Sequence, residues 1–202
     1  MTIDTENLLQ SILESLDRFD HIKAADIPNM DLYMDQVTTL MEKNLKPSAR
    51  YGDEDKILTK TMINNYAKNN LLPAPFKKKY SKEHILVLIF IYYYKGVLSI
   101  GDIQKLLTPL NEQFFANENG MKIEDIYEEV FSMEKDQLEA LKQDVVAKYH
   151  AAEAQFTEAP EEHQKFLKKF AFICALSFDV YIKKLIIEKL IDDLPDIDTK
   201  KK

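Results

Sequence analysis

Leu58-Thr59-Lys60-Thr61-Met62-Ile63-Asn64-Asn65-Tyr66-Ala67-Lys68-Asn69-Asn70-Leu71-Leu72-Pro73 is the stretch on which the reading of this 202-residue chain turns. Thr59 is a good helix cap, because its hydroxyl can accept from a backbone N–H two or three residues on. Met62, Ile63 and Tyr66 then fall on one side of a helix running to about Asn69. Asn70 suits the left-handed conformation of a helix end, and Pro73 and Pro75 keep the helix from resuming.

Working outward, Ser81 is another cap, in front of the apolar run Ile85–Tyr94. That run is β-branched and aromatic enough to pass for a buried strand, and periodicity alone does not decide. Ser81 before it and Gly96 behind it favour a helix. Ser99 with Asp102 resembles a capping box, and Pro109 is expected to end the short helix that follows. Upstream, Leu8, Leu9, Ile12, Leu13 and Leu16 predict a helix near 5–19, and Leu32, Val37, Leu40, Met41 and Leu45 a second near 31–45. Residues 46–56, with Pro47, Gly52 and Asp53-Glu54-Asp55, read as a loop. Downstream, apolar residues from Ile123 to Phe156 step by threes and fours, predicting a long amphipathic helix bent near Met133. The last predicted helix covers about 160–192, and its middle is apolar nearly all round and hence expected to be buried on every side. One amphipathic neighbour covers one face; the chain's other helices or a second protomer would cover the rest. Four glycines in the whole chain argue against a hairpin-rich β fold.

The formal net charge of −7 hides an asymmetry. Residues 56–82 carry Lys56, Lys60, Lys68, Lys77, Lys78, Lys79 and Lys82 and no acidic residue, while residues 1–55 and 111–172 are each net −7. A cationic patch on an acidic protein is the footprint of a phosphate-binding face. The competing reading is a solvated face packed against the protein's own acidic helices. The patch contains no arginine, which weighs against guanine readout more than against phosphate contact.

Three pieces together resemble MerR-type winged helix-turn-helix regulators: Leu58–Pro73, then Lys79-Tyr80-Ser81-Lys82-Glu83-His84-Ile85, then Leu98-Ser99-Ile100-Gly101-Asp102-Ile103-Gln104-Lys105-Leu106-Leu107. The resemblance covers about 50 residues with spacing preserved. The whole chain also resembles the bacterial family catalogued as domain of unknown function 1836. The MerR resemblance implies that the 59–69 helix enters the major groove with Thr59, Lys60, Thr61 and Asn64 facing DNA, and Lys68 on the same helix. It implies that Pro73–Tyr80 forms a wing with Lys77, Lys78, Lys79 and Tyr80 at the duplex. Asn64 stands where that family has Arg, Asn65 replaces the first of its two Tyr, and residues 46–56 lengthen a turn that the family keeps tight. The family also suggests a C-terminal effector pocket, for which Tyr127, Phe131, Tyr149, Phe156 and Phe166 are candidates, although core packing is the simpler role for them.

Catalytic signals are weak. There is no glycine-rich phosphate loop, and the four histidines form no H-E-x-x-H or Glu-x-x-His pair. Cys174, the one cysteine, excludes a disulfide framework and reads as a small buried hydrophobe. No cofactor and no metal is expected. The N-terminus lacks a signal pattern and no apolar run reaches the roughly 20 residues of a membrane span, so a cytoplasmic protein with no membrane partner is expected.

The sequence thus predicts an all-α protein with a MerR-like core, at most a tiny β wing, and a C-terminal antiparallel helical pair. The expected organisation is an N-terminal helix and linker (1–29), a winged helix-turn-helix domain (30–110), a packing or dimerisation region (111–192) and a charged tail (193–202). The expected function is that of a DNA-binding transcriptional regulator, not an enzyme, acting on double-stranded DNA as a homodimer through its C-terminal helices. The alternative is a protein-interaction adaptor whose helix-turn-helix binds no DNA.

Overall fold

The computed structural model describes residues 7–18, 21–46, 57–118 and 120–195. Most of the expected 46–56 loop, Lys56 and the end of the charged tail lie outside the described residues. The fold is all-α apart from two two-residue strands. In chain order the elements are α1 (Leu8–Asp17), β1 (Leu32–Tyr33), α2 (Met34–Leu45), α3 (Lys60–Lys68), β2 (Lys79–Tyr80), α4 (Lys82–Tyr94), α5 (Ile100–Phe114), α6 (Ile123–Ser132), α7 (Glu134–Glu153) and α8 (Glu161–Asp192). They form two compact units: Asp20–Ser132 with Glu188 onward, and Thr2–Phe19 with Met133–Ile187.

The first unit is built around α4. Every residue from His84 to Ile91 is buried, so the helix has no polar stripe. This is why strand and helix looked alike in the sequence. Around it pack Val37, Met41 and Leu45 of α2, Ile63 and Tyr66 of α3, Ile103 and Leu107 of α5, and Ile123 and Tyr127 of α6. Burying one such side chain contributes about 1.5–3 kcal/mol, and Ile85 to Ile91 is the longest unbroken stretch of this core. The Tyr127 hydroxyl donates to the Ile22 carbonyl at 2.5 Å, satisfying a phenol that is otherwise fully enclosed.

Helix α5 continues through Pro109 instead of ending there. Proline in a helix interior costs about 3 kcal/mol. Here Leu107 before it and Leu110 and Phe114 beyond it all pack on the core, and Asn111 Nδ2 donates to the Leu71 carbonyl at 3.2 Å. Packing outweighs the local penalty. The long helix expected over 123–156 is two helices, divided at Met133, where the chain passes from the first unit to the second.

His84 couples the start of α4 to pH. Its Nδ1 accepts from the Ser81 backbone N–H at 3.0 Å, and Ser81 Oγ lies 2.8 Å away, so His84 plays the part that Glu or Gln takes in a capping box. Tyr80 and Phe115 meet its ring edge-on. Burial pushes the imidazole pKa down, against a smaller upward pull that includes Asp31. The unfolded chain therefore takes up the proton more readily than the folded one. Stability is fully present above the ordinary imidazole range and falls as the pH drops through it. Urea unfolding is expected to give a lower midpoint at about pH 5 than at about pH 7.5. His84→Gln, which keeps an acceptor for Ser81 N–H, should flatten that difference.

In the second unit α7 and α8 run antiparallel, as expected. Lys148 reaches Asp179 at 3.9 Å, Tyr149 packs edge-on against Phe172, and Lys168 reaches Glu153 at 4.0 Å. α1 joins them, with Lys142 of α7 paired to Asp17 and with Leu9 and Ile12 against the Val145–Ala152–Phe172 core. The expectation that α8 is buried on every side fails. Phe166, Phe170, Ile173, Phe178 and Tyr181 are 68%, 51%, 53%, 67% and 57% exposed, because only the face bearing Phe172 meets α7. Cys174 is exposed too, not buried. Among the described residues no helix is long and apolar enough to cross a membrane.

Candidate nucleic-acid interface

The cationic residues of the first unit sit on a strand–helix–helix–hairpin frame. β1 pairs antiparallel with β2, with Leu32 opposite Tyr80 and Tyr33 opposite Lys79. α2 starts directly after β1, and α3 packs on it through buried Ile63 and Tyr66.

Thr59 caps α3, its hydroxyl accepting from Met62 N–H at 3.2 Å. That oxygen is occupied by the cap, whatever else Thr59 touches. At the other end Asn70 has φ 59°, the Leu71 N–H donates to the Tyr66 carbonyl at 2.9 Å, and the Asn70 N–H to the Ala67 carbonyl at 3.3 Å. This pattern of crossed bonds is a Schellman motif, and it turns the chain sharply so that Leu71 and Leu72 enter the core. Between the two caps, Lys60, Thr61, Asn64, Asn65 and Lys68 are exposed. Their spacing places them along one side of the helix. Asn65 belongs to this face although the sequence reading gave it no role.

The hairpin Phe76–Lys79 is closed by a bridge and by the Lys79 N–H donating to the Phe76 carbonyl at 2.9 Å. Its two central residues, Lys77 and Lys78, have φ 49° and 63°. A turn left-handed at both positions is the tight hairpin type that ordinarily takes Asn-Gly. Lysine there costs about 1–2 kcal/mol per residue. Lys77 and Lys78 project outward, Lys77 Nζ lying 5.1 Å from the Phe76 ring centroid and Lys79 Nζ 5.3 Å from that of Tyr33. Phe76 itself is 72% exposed. It was missed in the sequence, where a lone Phe between Pro75 and lysines carries no periodic signal.

Tyr80 is a correction. It is 2% exposed, packed against His84, and burial raises its hydroxyl pKa, so it is a core residue that presents no surface to a nucleic acid. Lys60 pairs with Asp35 of α2, and Lys82 with Glu124 of α6 at 2.6 Å, so part of the positive charge is compensated within the chain. Among the described residues no carboxylate pairs with Lys68, Lys77, Lys78 or Lys79. Ammonium groups without a carboxylate partner attract phosphate, and the Thr and Asn side chains can hydrogen-bond to phosphates or base edges.

The aromatics suggested for an effector pocket are divided between the two units. Tyr127 and Phe131 pack on each other in the first unit, Tyr149 packs on Phe172 in the second, and Phe156 and Phe166 are exposed. Among the described residues no group of three or more His, Cys, Asp or Glu side chains is placed to hold a metal ion.

A family model described as domain of unknown function (DUF1836) matches residues 22–130. That span coincides with the main part of the first unit and contains the whole cationic surface. No curated protein and no solved structure matches the chain.

Proposed function

The chain belongs to the domain of unknown function 1836 family, and from that premise we propose that it is a DNA-binding transcriptional regulator whose duplex-binding face lies within the family span. The observation that carries this is a set of exposed or half-exposed lysines with no carboxylate partner among the described residues, Lys68 on the polar outer side of α3 and Lys77, Lys78 and Lys79 on the hairpin. The order β1, α2, α3, hairpin, β2 supports the finer reading of a MerR-like winged helix-turn-helix. In it α3 is the recognition helix, with Lys60, Thr61, Asn64 and Lys68 toward the groove, and the hairpin is the wing. Asn64 can pair with an adenine edge where an arginine would favour guanine. Such a regulator acts in the cytoplasm.

The apolar outer side of α8 supports a homodimer. Phe166, Phe170, Ile173, Phe178 and Tyr181 leave on the order of 600 Å² of apolar surface in water, at about 200 Å² for a large side chain. Leu185 extends it toward the roughly 800 Å² that each partner buries in a standard interface. A twofold dimer would suit a palindromic site.

The test is selection from random duplexes, followed by titration against salt. Each phosphate contact should contribute about −0.9 to the slope of log affinity against log salt, so four lysines predict a slope near −3.6 per protomer. Failure to bind any duplex at low salt would leave the adaptor reading, which the Lys60–Asp35 and Lys82–Glu124 pairs favour by showing the patch partly neutralised from within.

A further inference from the structure

We infer that Phe76 is an apolar wedge that enters a base step of the bound duplex while Lys77 and Lys78 hold the flanking phosphates; this rests on the DNA-binding reading. An isolated exposed phenylalanine would mean little by itself. Phe76 differs in three respects that meet at one point.

First, its residue is 72% exposed, at the entry to a hairpin tip. Second, the turn that presents it is strained. Lys77 and Lys78 hold positive φ where glycine or asparagine would relax the backbone, and the two-residue turn leaves no slack. The chain keeps two long cationic side chains at that strained tip, beside the ring. Third, the ring has ammonium groups beside it: Lys77 Nζ lies 5.1 Å from its centroid, and Lys78 follows in the same turn. A ring inserted between bases would therefore bring an ammonium group to the phosphates on either side of the opened step.

The ligand that fits a flat apolar ring set among ammonium groups is a stack of planar bases edged by phosphates. Proteins that insert such wedges unstack one step and kink the duplex by about 20–90°, recovering the cost from added contacts. An anionic membrane offers the same two chemistries. One ring buries little apolar area there, and α3 adds hydrogen-bonding groups suited to a polar groove.

The experiment uses the full chain on the duplex recovered by selection, with 2-aminopurine placed at each step in turn and with donor and acceptor dyes at the ends. Wild type should raise the 2-aminopurine fluorescence at one step and shorten the end-to-end distance. Phe76→Ala should keep the salt slope, lose the fluorescence rise and the bend, and bind about tenfold or more weakly. Phe76→Leu, still a wedge, should keep the bend. Binding with the wild-type salt slope but no unstacking overturns the wedge alone. Absence of any duplex binding overturns both the wedge and the regulator reading. Binding to phosphatidylcholine–phosphatidylserine vesicles that Phe76→Ala abolishes, with no change on duplex, assigns the ring to a membrane and also overturns the proposal.

Discussion

Replacing Lys77, Lys78 and Lys79 together by glutamate is expected to lower duplex affinity at least about a hundredfold and to reduce the magnitude of the salt slope by about 2.7, three contacts at 0.9 each. Reversal does more than delete three attractions. It sets three carboxylates against the phosphates on a two-residue turn too tight to swing them away. The fold should survive. Lys77 and Lys78 are exposed, Lys79 gives up only its approach to the Tyr33 ring, and glutamate is no more strained at positive φ than lysine. The three-glutamine variant separates charge loss from charge reversal and should fall between the two. Lys60→Gln should cost less than any single change at the tip, because Asp35 already neutralises part of that charge. A gel shift in which the glutamate variant matches wild type would end the assignment of the hairpin to phosphate.

What could be foreseen in the sequence was local and one-dimensional. Thr59 and Ser99 cap helices because their hydroxyls have a backbone N–H in reach, and Asn70 adopts the left-handed end that asparagine tolerates. The lysine cluster was visible as a count. What escaped depends on neighbours far along the chain. Pro109 stays inside α5 because residues on both sides of it already face the core. The MerR resemblance puts Tyr80 at the duplex as the end of the wing, yet strand alternation turns it inward against His84. The hairpin tip carried none of the Asn-Gly signal by which such turns are recognised, so neither its geometry nor the exposure of Phe76 could be read. Nor could periodicity say which apolar side of α8 meets α7, since that helix is apolar on several sides.

That ambiguity at α8 bears the second large effect. Phe170→Glu with Phe178→Glu is expected to convert a dimer into a monomer, weakening self-association at least about a hundredfold, because each dimer would have to enclose four carboxylates in apolar contact. Wild type should scatter light with a mass near twice 23.5 kDa and the variant near 23.5 kDa. Both rings are more than half exposed in the single chain, so the helical circular dichroism should be retained. Phe172→Ala, on the buried side, should instead lower the melting temperature of the second unit. A twofold axis crossing the middle of the stripe would set the two helices antiparallel. Cys174, exposed near the middle of the stripe, then lies close to its own twofold mate, and a short bismaleimide should link the two copies. A cysteine at position 166, in a Cys174→Ala background, should not link to itself, since its mate would lie at the far end; efficient linkage there would reverse the direction assigned. A wild-type monomer at micromolar concentration would remove the dimer altogether. The duplex salt slope would then have to be met by the lysines of a single copy.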